Sequence, residues 1–264
     1  MKTNYHTHTP HCGHAVGSST REYAEAACAA GLKYLGFTDH APFPDTDLGC
    51  RMPYEELLVY FDEVEELRAE FKGRMTIYKS VEIEYLPEYT KGENYYEKLL
   101  KEYGCDYLLV GEHFFRDDAG KLYNLYNIPG PEIVLDYAKA CVEAMSTGYF
   151  KMLAHPDLFG VNDHAWCDIY DRATQLIIEG ALRYNVILEY NANGYRRGIR
   201  DFASGRRYMY PLKNFWTEAA KAGVSVIIGS DSHNPKEIWD YAMPKARRDL
   251  KGYGIKPIEI LPLN

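Results

Sequence analysis

The sequence predicts an α/β fold, a distorted seven-stranded (β/α)7 TIM-like barrel. Short runs of β-branched and aromatic residues alternate with longer amphipathic stretches, the pattern of repeated βα units around a parallel sheet. There are seven such units, whereas the usual barrel closes with eight strands, so we expect an irregular or partly open ring. The 264 residues are compatible with one barrel domain that spans residues 1–264.

The strands are predicted from short apolar runs that end in polar residues. We place them at about 2–8, 33–38, 75–84, 106–112, 150–155, 186–190 and 224–230. The last of these contains the clearest strand pattern, Val224-Ser-Val-Ile-Ile-Gly229. Each strand is followed by a stretch long enough for a helix.

The helices are predicted from their start signals and from apolar residues spaced three or four apart. Ser19-Thr-Arg-Glu22 predicts a capping box at the start of a helix that ends near Gly31. Further helices are expected at about 53–71, 131–147, 168–184, 211–223 and 235–251. Their apolar stripes indicate ordinary core packing, and a short extended tail is expected at about 255–261.

Composition narrows the class of partner. The net charge of -8 argues against general nucleic-acid binding, which needs a basic surface. The sequence has neither an apolar signal core nor an apolar run long enough to span a membrane. Six scattered cysteines without a CxxC motif are typical of reduced thiols. We therefore expect a cytoplasmic protein that acts on a small molecule; its oligomeric state stays open.

Histidines and carboxylates collect where the predicted strands end, which is where barrel enzymes carry their chemistry. Side chains alternate along a strand, so the pairs His6-Thr-His8 and Asp231-Ser-His233 each point two ligands to one side. The other strand-end residues, with one loop histidine, are His14, Asp39, His40, Glu82, Glu84, His113, His155 and Asp157.

A single histidine is more often structural, but six segments aimed at one barrel mouth predict a metal cluster. Imidazole together with carboxylate is suited to zinc, manganese or iron. Cys12 lies near four of the histidines and could be a ligand, although we interpret it as a bystander.

The order of these motifs resembles the PHP (polymerase and histidinol phosphatase) superfamily, and more closely its histidinol-phosphate phosphatases. The resemblance covers essentially the whole chain. It rests on His6-Thr-His-Thr, His11-Cys-Gly-His14, Gly36-Phe-Thr-Asp-His-Ala-Pro42, Cys50-Arg-Met-Pro53, Val81-Glu-Ile-Glu84, His113, His155-Pro-Asp-Leu158, Asn191-Ala-Asn-Gly-Tyr-Arg196 and Gly229-Ser-Asp-Ser-His233.

The resemblance implies the PHP fold and three divalent metal ions held by nine ligands. One ion would take His6, His8, Glu82 and Asp231; a second would take Glu82, His113 and His155; a third would take His14, His40 and His233. It also implies hydrolysis of L-histidinol phosphate to L-histidinol and phosphate in histidine biosynthesis. Our hypothesis is that a hydroxide bridging two ions attacks phosphorus while the third ion holds a phosphate oxygen.

The residues that would contact the substrate are less firmly indicated. Arg196 is the first choice for binding the phosphate, since a guanidinium offers a planar fork of donors. A second phosphate contact could come from Arg197, Arg51 or Lys121. Asp39, Asp157 or a metal-bound water could protonate the leaving oxygen.

Two alternatives to the histidinol assignment stay open. The same cluster could hydrolyse another small ester such as a nucleotide or sugar phosphate. The chain could instead be a metal-dependent accessory or binding domain of the kind fused to polymerases.

Overall fold

The computed structural model of the protein describes residues 1–263. Its strands are β1 (Thr3–Asn4), β2 (Tyr34–Phe37), β3 (Thr76–Ile83), β4 (Tyr107–Val110), β5 (Phe114–Arg116), β6 (Leu122–Asn124), β7 (Met152–Leu153), β8 (Ile187–Asn191), β9 (Ile199–Phe202), β10 (Gly205–Tyr208) and β11 (Val226–Gly229). Seven of them form a parallel sheet in the order β1-β2-β3-β4-β7-β8-β11.

The two outer strands of this sheet approach each other beyond their regular ends. Thr7 forms a parallel bridge with Ser232. The amide of His8 donates to the Ser232 carbonyl, and the amide of Asp231 donates to the His6 carbonyl, both at 3.0 Å. The sheet is therefore a nearly closed barrel, and the predicted fold class and strand count are confirmed.

The helices are α1 (Thr20–Ala29), α2 (Leu57–Glu70), α3 (Tyr95–Lys101), α4 (Ile133–Ser146), α5 (Asp168–Tyr184), α6 (Asn193–Arg196), α7 (Lys213–Ala222) and α8 (Ala242–Tyr253). The buried faces of these helices join one large apolar cluster with the outward side chains of the strands, such as Leu108 and Val226. Within residues 1–263, no helix combines the length and the apolar character that a membrane crossing requires.

A second apolar cluster fills the barrel interior below the strand ends, and Tyr5, Tyr107 and Ile227 belong to it. The Tyr107 hydroxyl donates to the Tyr5 carbonyl at 2.6 Å. Gly36 makes this possible, because a Cβ there would lie 2.0 Å from the Tyr107 hydroxyl oxygen. Because the interior is filled, a site inside the barrel has to lie at its mouth, at the carboxyl ends of the strands.

Three sequence-based predictions of local structure are wrong in detail. Glu22 accepts hydrogen bonds from the amide and hydroxyl of Ser18, at 2.8 and 2.7 Å, so the expected capping box with Ser19 does not form. The predicted helix at 235–251 consists of a 3-10 turn at Pro235–Glu237 followed by α8. The first strand is only β1, because the Asn4 side chain accepts from the His6 amide and turns the chain there.

The structure also contains elements that periodicity did not predict. These include α3, the short α6 and two antiparallel hairpins, β5–β6 and β9–β10. The second hairpin occupies 199–208, where the sequence indicated a long polar loop. Both hairpins lie outside the seven-stranded sheet, and the first directly follows the ligand candidate His113.

Candidate metal centre

All nine predicted ligands lie at the carboxyl ends of the barrel strands, and their ligand atoms form overlapping groups. Seven of the nine line one cavity of ≈ 350 Å³, while His6 and His8 lie fully buried beneath it. His155 and Asp231 have positive φ angles of 28° and 48°. Such angles cost non-glycine residues about 1–3 kcal/mol and tend to occur at functional sites.

The first group consists of two histidines and two carboxylates. His6 Nε2 lies 3.0 Å from His8 Nε2 and 3.2 Å from Glu82 Oε2. His8 Nε2 lies 3.2 Å from the same Glu82 oxygen and 3.3 Å from Asp231 Oδ1. Nitrogen ligands about 2.05 Å from a tetrahedral zinc ion are about 3.3 Å apart. The nitrogens of His6 and His8 therefore have the spacing of one coordination shell with the Asp231 oxygen, and the Glu82 oxygen lies equally near both nitrogens.

The second group shares Glu82 with the first. Its other oxygen, Oε1, lies 2.9 Å from His155 Nε2 and 3.7 Å from His113 Nε2. The third group is His14, His40 and His233, whose ligand nitrogens lie within 4.8 Å of one another. One carboxylate thus faces two groups, as a ligand that bridges two ions must.

Two glycines give the acidic side chains room inside the barrel. A Cβ at Gly111 would lie 2.1 Å from Glu82 Oε1. A Cβ at Gly229 would lie 1.6 Å from Glu189 Oε1. Any larger residue at either position would displace a carboxylate.

The charges in the cluster depend on one another. Burial alone raises the pKa of Glu82, but the imidazoles of His6, His113 and His40 outweigh it and hold this pKa well below its usual range. Burial lowers the pKa of His6, yet Glu189, Glu82 and Asp231 raise it to about 10. In the metal-free protein, protonated imidazole therefore offsets the negative charge of the carboxylates, as bound cations would.

Buried polar atoms without partners give an independent test of whether metals fit. Among residues 1–263, His8 Nδ1, His155 Nδ1 and His233 Nε2 are buried and make no hydrogen bond. An unsatisfied buried nitrogen is costly. In His8 and His155 the unpartnered atom is not the Nε2 that meets Glu82, so the test rests on His233. His233 Nε2 is a candidate metal ligand, so the donor set fits divalent ions.

Residues 4–193 match the family model described as the PHP domain. The chain belongs to the PHP family. It is 31% identical over 263 residues to the "Probable histidinol-phosphatase" of Deinococcus radiodurans, covering 94% of this chain and 92% of that protein. The histidinol-phosphatase of Bacillus subtilis is 30% identical over 163 residues, covering 58% of this chain and 59% of that protein.

A solved structure is also similar. The histidinol phosphate phosphatase of Lactococcus lactis, complexed with zinc, L-histidinol and phosphate, superposes with a TM-score of 0.72 at 19% identity. The match covers 97% of this chain and 95% of that one. At this identity the likeness concerns the barrel fold.

Glu189 of this PHP barrel was missed by the sequence analysis. Its Oε1 lies 2.7 Å from His6 Nδ1. Its Oε2 accepts from the His155 amide at 3.1 Å and from Asn191 Nδ2 at 2.8 Å. A carboxylate on the far nitrogen of a metal-binding histidine fixes the ring and its tautomer. The available signal was a lone charge inside the apolar strand at 186–190.

Cys12 lies closer to the cluster than a bystander would. It is buried, and its carbonyl oxygen lies 3.1 Å from His14 Nδ1. Burial raises the pKa of the thiol, but the neighbouring His14 and His8 outweigh it and lower this pKa to about 5. Cys12 also groups with His8 and His233 as a possible ligand set.

The two candidate acids, Asp39 and Asp157, are buried and held by the protein. Asp39 accepts from the amide and hydroxyl of Thr9, both at 2.7 Å. Asp157 Oδ2 accepts from the Leu212 amide at 2.5 Å and from the Trp216 indole at 2.9 Å. Neither carboxylate lines the cavity.

The candidate guanidiniums have different surroundings. Arg196 bonds both oxygens of Asp240, the backbone and hydroxyl of Ser230 and the Glu237 carbonyl. Arg51 forms a fork with Glu84 at 3.0 and 3.1 Å while lining the cavity. Arg197 lines the cavity and has no ion pair within the described chain. Lys121 lies outside it, stacked over Tyr123.

Proposed function

We propose that the protein is a metal-dependent histidinol-phosphatase that hydrolyses L-histidinol phosphate to L-histidinol and phosphate in histidine biosynthesis. The observation that carries this is the set of three adjoining ligand groups, in which Glu82 is shared, at the floor of an open cavity. A phosphate monoester resists attack because its oxygens are negative, and clustered cations remove that repulsion. The two histidinol-phosphatase relatives support the choice of ester.

We propose three divalent ions, zinc, manganese or iron, held by the nine ligands as grouped above. The first ion would be bound by His6, His8, Glu82 and Asp231. The second and third take the two histidine-rich groups beside it. When bound, such ions supply positive charge for phosphate oxygens and acidify water for attack at phosphorus.

Arg197 is our candidate for the guanidinium that binds phosphate. Arg196 donates its hydrogen bonds to Asp240, Ser230 and Glu237, whereas Arg197 lines the cavity and forms no ion pair with another described residue. A bidentate fork suits the flat face of a phosphoryl group. Arg51 is a weaker candidate, because Glu84 already engages its fork.

Asp39 and Asp157 then act by positioning. Asp39 holds the turn at Thr9, directly after His8. Asp157 joins the loop after His155 to the start of α7. Each fixes a chain segment that carries a ligand. Both are too enclosed to reach a leaving group in the cavity.

All six cysteines within residues 1–263 are free thiols. Thiols stay reduced in the cytoplasm, so we propose that the protein is cytoplasmic.

The decisive experiment combines elemental analysis of the purified protein with phosphate release from a panel of esters. We expect about three ions per chain and a kcat/KM for L-histidinol phosphate well above that for nucleotide and sugar phosphates. Full turnover after chelation would refute the metal mechanism. A strong preference for another ester would refute the histidinol assignment while leaving the metal centre intact.

A further inference from the structure

A second cavity lies on the outer side of the barrel wall, behind the metal centre. Its volume is ≈ 420 Å³, somewhat larger than the ≈ 350 Å³ of the metal cavity. The strand β8 separates the two, because successive side chains of a strand point to opposite faces. Glu189 faces the metal ligands, and its neighbour Tyr190 lines the outer cavity.

Aromatic rings form the walls of this outer cavity. Trp166 and Tyr170 pack edge to face on one side, with ring centroids 5.5 Å apart. Tyr195 and Tyr208 do the same on the other, at 5.0 Å. A cavity of several hundred cubic ångströms with aromatic walls and a few polar groups has the size and character of a small-molecule site.

The rim of the cavity carries unpaired positive charge. Arg206 and Lys213 line it, both are exposed, and neither forms an ion pair with another described residue. The carboxylate of Asp249, the acidic residue in the lining, already accepts from the Tyr195 hydroxyl and from Lys245 Nζ. In a chain of net charge -8, this rim stands out as an anion-attracting edge.

We propose that the outer cavity is a binding site for a small aromatic anion that acts as an effector. The ring lies between the two aromatic pairs, and the anionic group meets Arg206 and Lys213. Stacking and edge contacts favour a flat ring, and the two free cations select against a neutral or cationic ligand of the same shape.

The outer cavity is connected to the active site by two short routes. The hairpin β9–β10 forms one wall, and its first residue, Ile199, is two positions after Arg197. Leu212, another wall residue, donates its amide to Asp157. A ligand that orders this hairpin holds Arg197 towards the phosphate and so lowers KM. This coupling, unlike the site itself, rests on the proposed phosphatase function.

The site is tested by calorimetric titration of the metal-loaded protein with three indoles that differ in charge. Indole-3-acetate is the anionic probe, indole the neutral one and tryptamine the cationic one. We expect indole-3-acetate to bind most tightly and tryptamine least. Replacing the two exposed cations (Arg206→Gln with Lys213→Gln) weakens the binding of indole-3-acetate on the order of tenfold. The third cation of the lining, Arg207, stays bonded to backbone carbonyls.

The matched control is Arg200→Gln. Arg200 is an exposed cation on the same hairpin that does not line the cavity, so this variant keeps wild-type affinity. Absence of heat with indole-3-acetate, or equal binding by the double variant, would overturn the site. The second result would place the anion elsewhere, such as on the metal ions.

Kinetics separate the coupling from the site. Saturating indole-3-acetate lowers the KM for L-histidinol phosphate by about twofold or more in wild type and Arg200→Gln, and has no effect in the double variant. Binding heat without a fall in KM would disprove the coupling. Binding heat in a protein that releases no phosphate would contradict the proposed function and leave the site standing.

Discussion

Glu189 Oε1 lies 2.7 Å from Nδ1 of His6, on the side of the ring opposite the Nε2 that meets Glu82. The same carboxylate accepts from the backbone amide of His155. One buried acid therefore orients ligands from two of the three groups. Because Glu189 and His6 are 183 positions apart, only the closed barrel brings them together.

Replacing this acid should weaken metal binding without removing a ligand. We expect Glu189→Gln to lower the affinity for the tightest ion by about 10- to 100-fold, since the His6 ring loses its charged acceptor. Competition with a chromophoric chelator measures the effect. Glu179→Gln, an exposed glutamate on α5, should leave the affinity unchanged. Equal affinities in both variants would show that Glu189 does not support the ligands.

Metal binding should release protons. The pKa of His6 is raised to about 10, and that of His8 is raised well above its ordinary value. The two Nε2 atoms lie 3.0 Å apart and can share one proton, so at least one of the two imidazoles is protonated at pH 7 in the metal-free protein and must lose its proton to bind metal. We expect about one to two protons released with the first ion, and weaker binding as the pH falls. Zinc titrations in two buffers of different ionisation enthalpy give the number; identical heats would contradict this.

Substitution of each of the two neighbouring arginines should have a different effect. Arg197→Gln should raise the KM for the phosphate ester and leave the melting temperature nearly unchanged, because its charge is unpaired. Arg196→Gln should destabilise the fold by about 2 kcal/mol or more. The Arg196 side chain is only 8% exposed, and its loss leaves Asp240 without its ion-pair partner. Steady-state kinetics and thermal denaturation of both variants separate the roles. The reverse result would return the phosphate contact to Arg196.

The space at Gly229 should be essential. Gly229→Ala places a methyl group 1.6 Å from Glu189 Oε1, so we expect loss of metal and destabilisation by about 2 kcal/mol or more. Gly252→Ala is the matched control, because nothing lies within 4 Å of a Cβ at that helical position. It should stabilise α8 by up to about 1 kcal/mol. Metal content and thermal unfolding test both variants.

The sequence was informative about the metal centre because its signals are local. The members of the pairs His6 and His8 and Asp231 and His233 are two residues apart, directly beyond β1 and β11, and the strand count depends only on apolar runs. Glu189 could not be assigned in the same way. Its partner lies at the other end of the chain, and a single charge in a strand does not reveal what it meets.

The choice between Arg196 and Arg197 depended on a finer detail. Consecutive residues of a helix are rotated by about 100°, and the short α6 ends between them. One arginine therefore turns to Asp240 and the next to the cavity. Without the position of α8 and its preceding turn, nothing in the sequence distinguishes the two. The hairpins were likewise hidden, because their exposed polar residues follow no apolar period.

The hairpins β5–β6 and β9–β10 have a consequence for how this scaffold can diverge. Each hairpin is a separate two-stranded sheet, and within the described residues neither pairs with a strand of the barrel. Tyr126, just after the first hairpin, and Arg197, just before the second, both line the metal cavity. Insertions or exchanges in these hairpins can therefore alter which ester is accepted while every metal ligand keeps its place. Substrate specificity and metal binding can thus change independently during evolution.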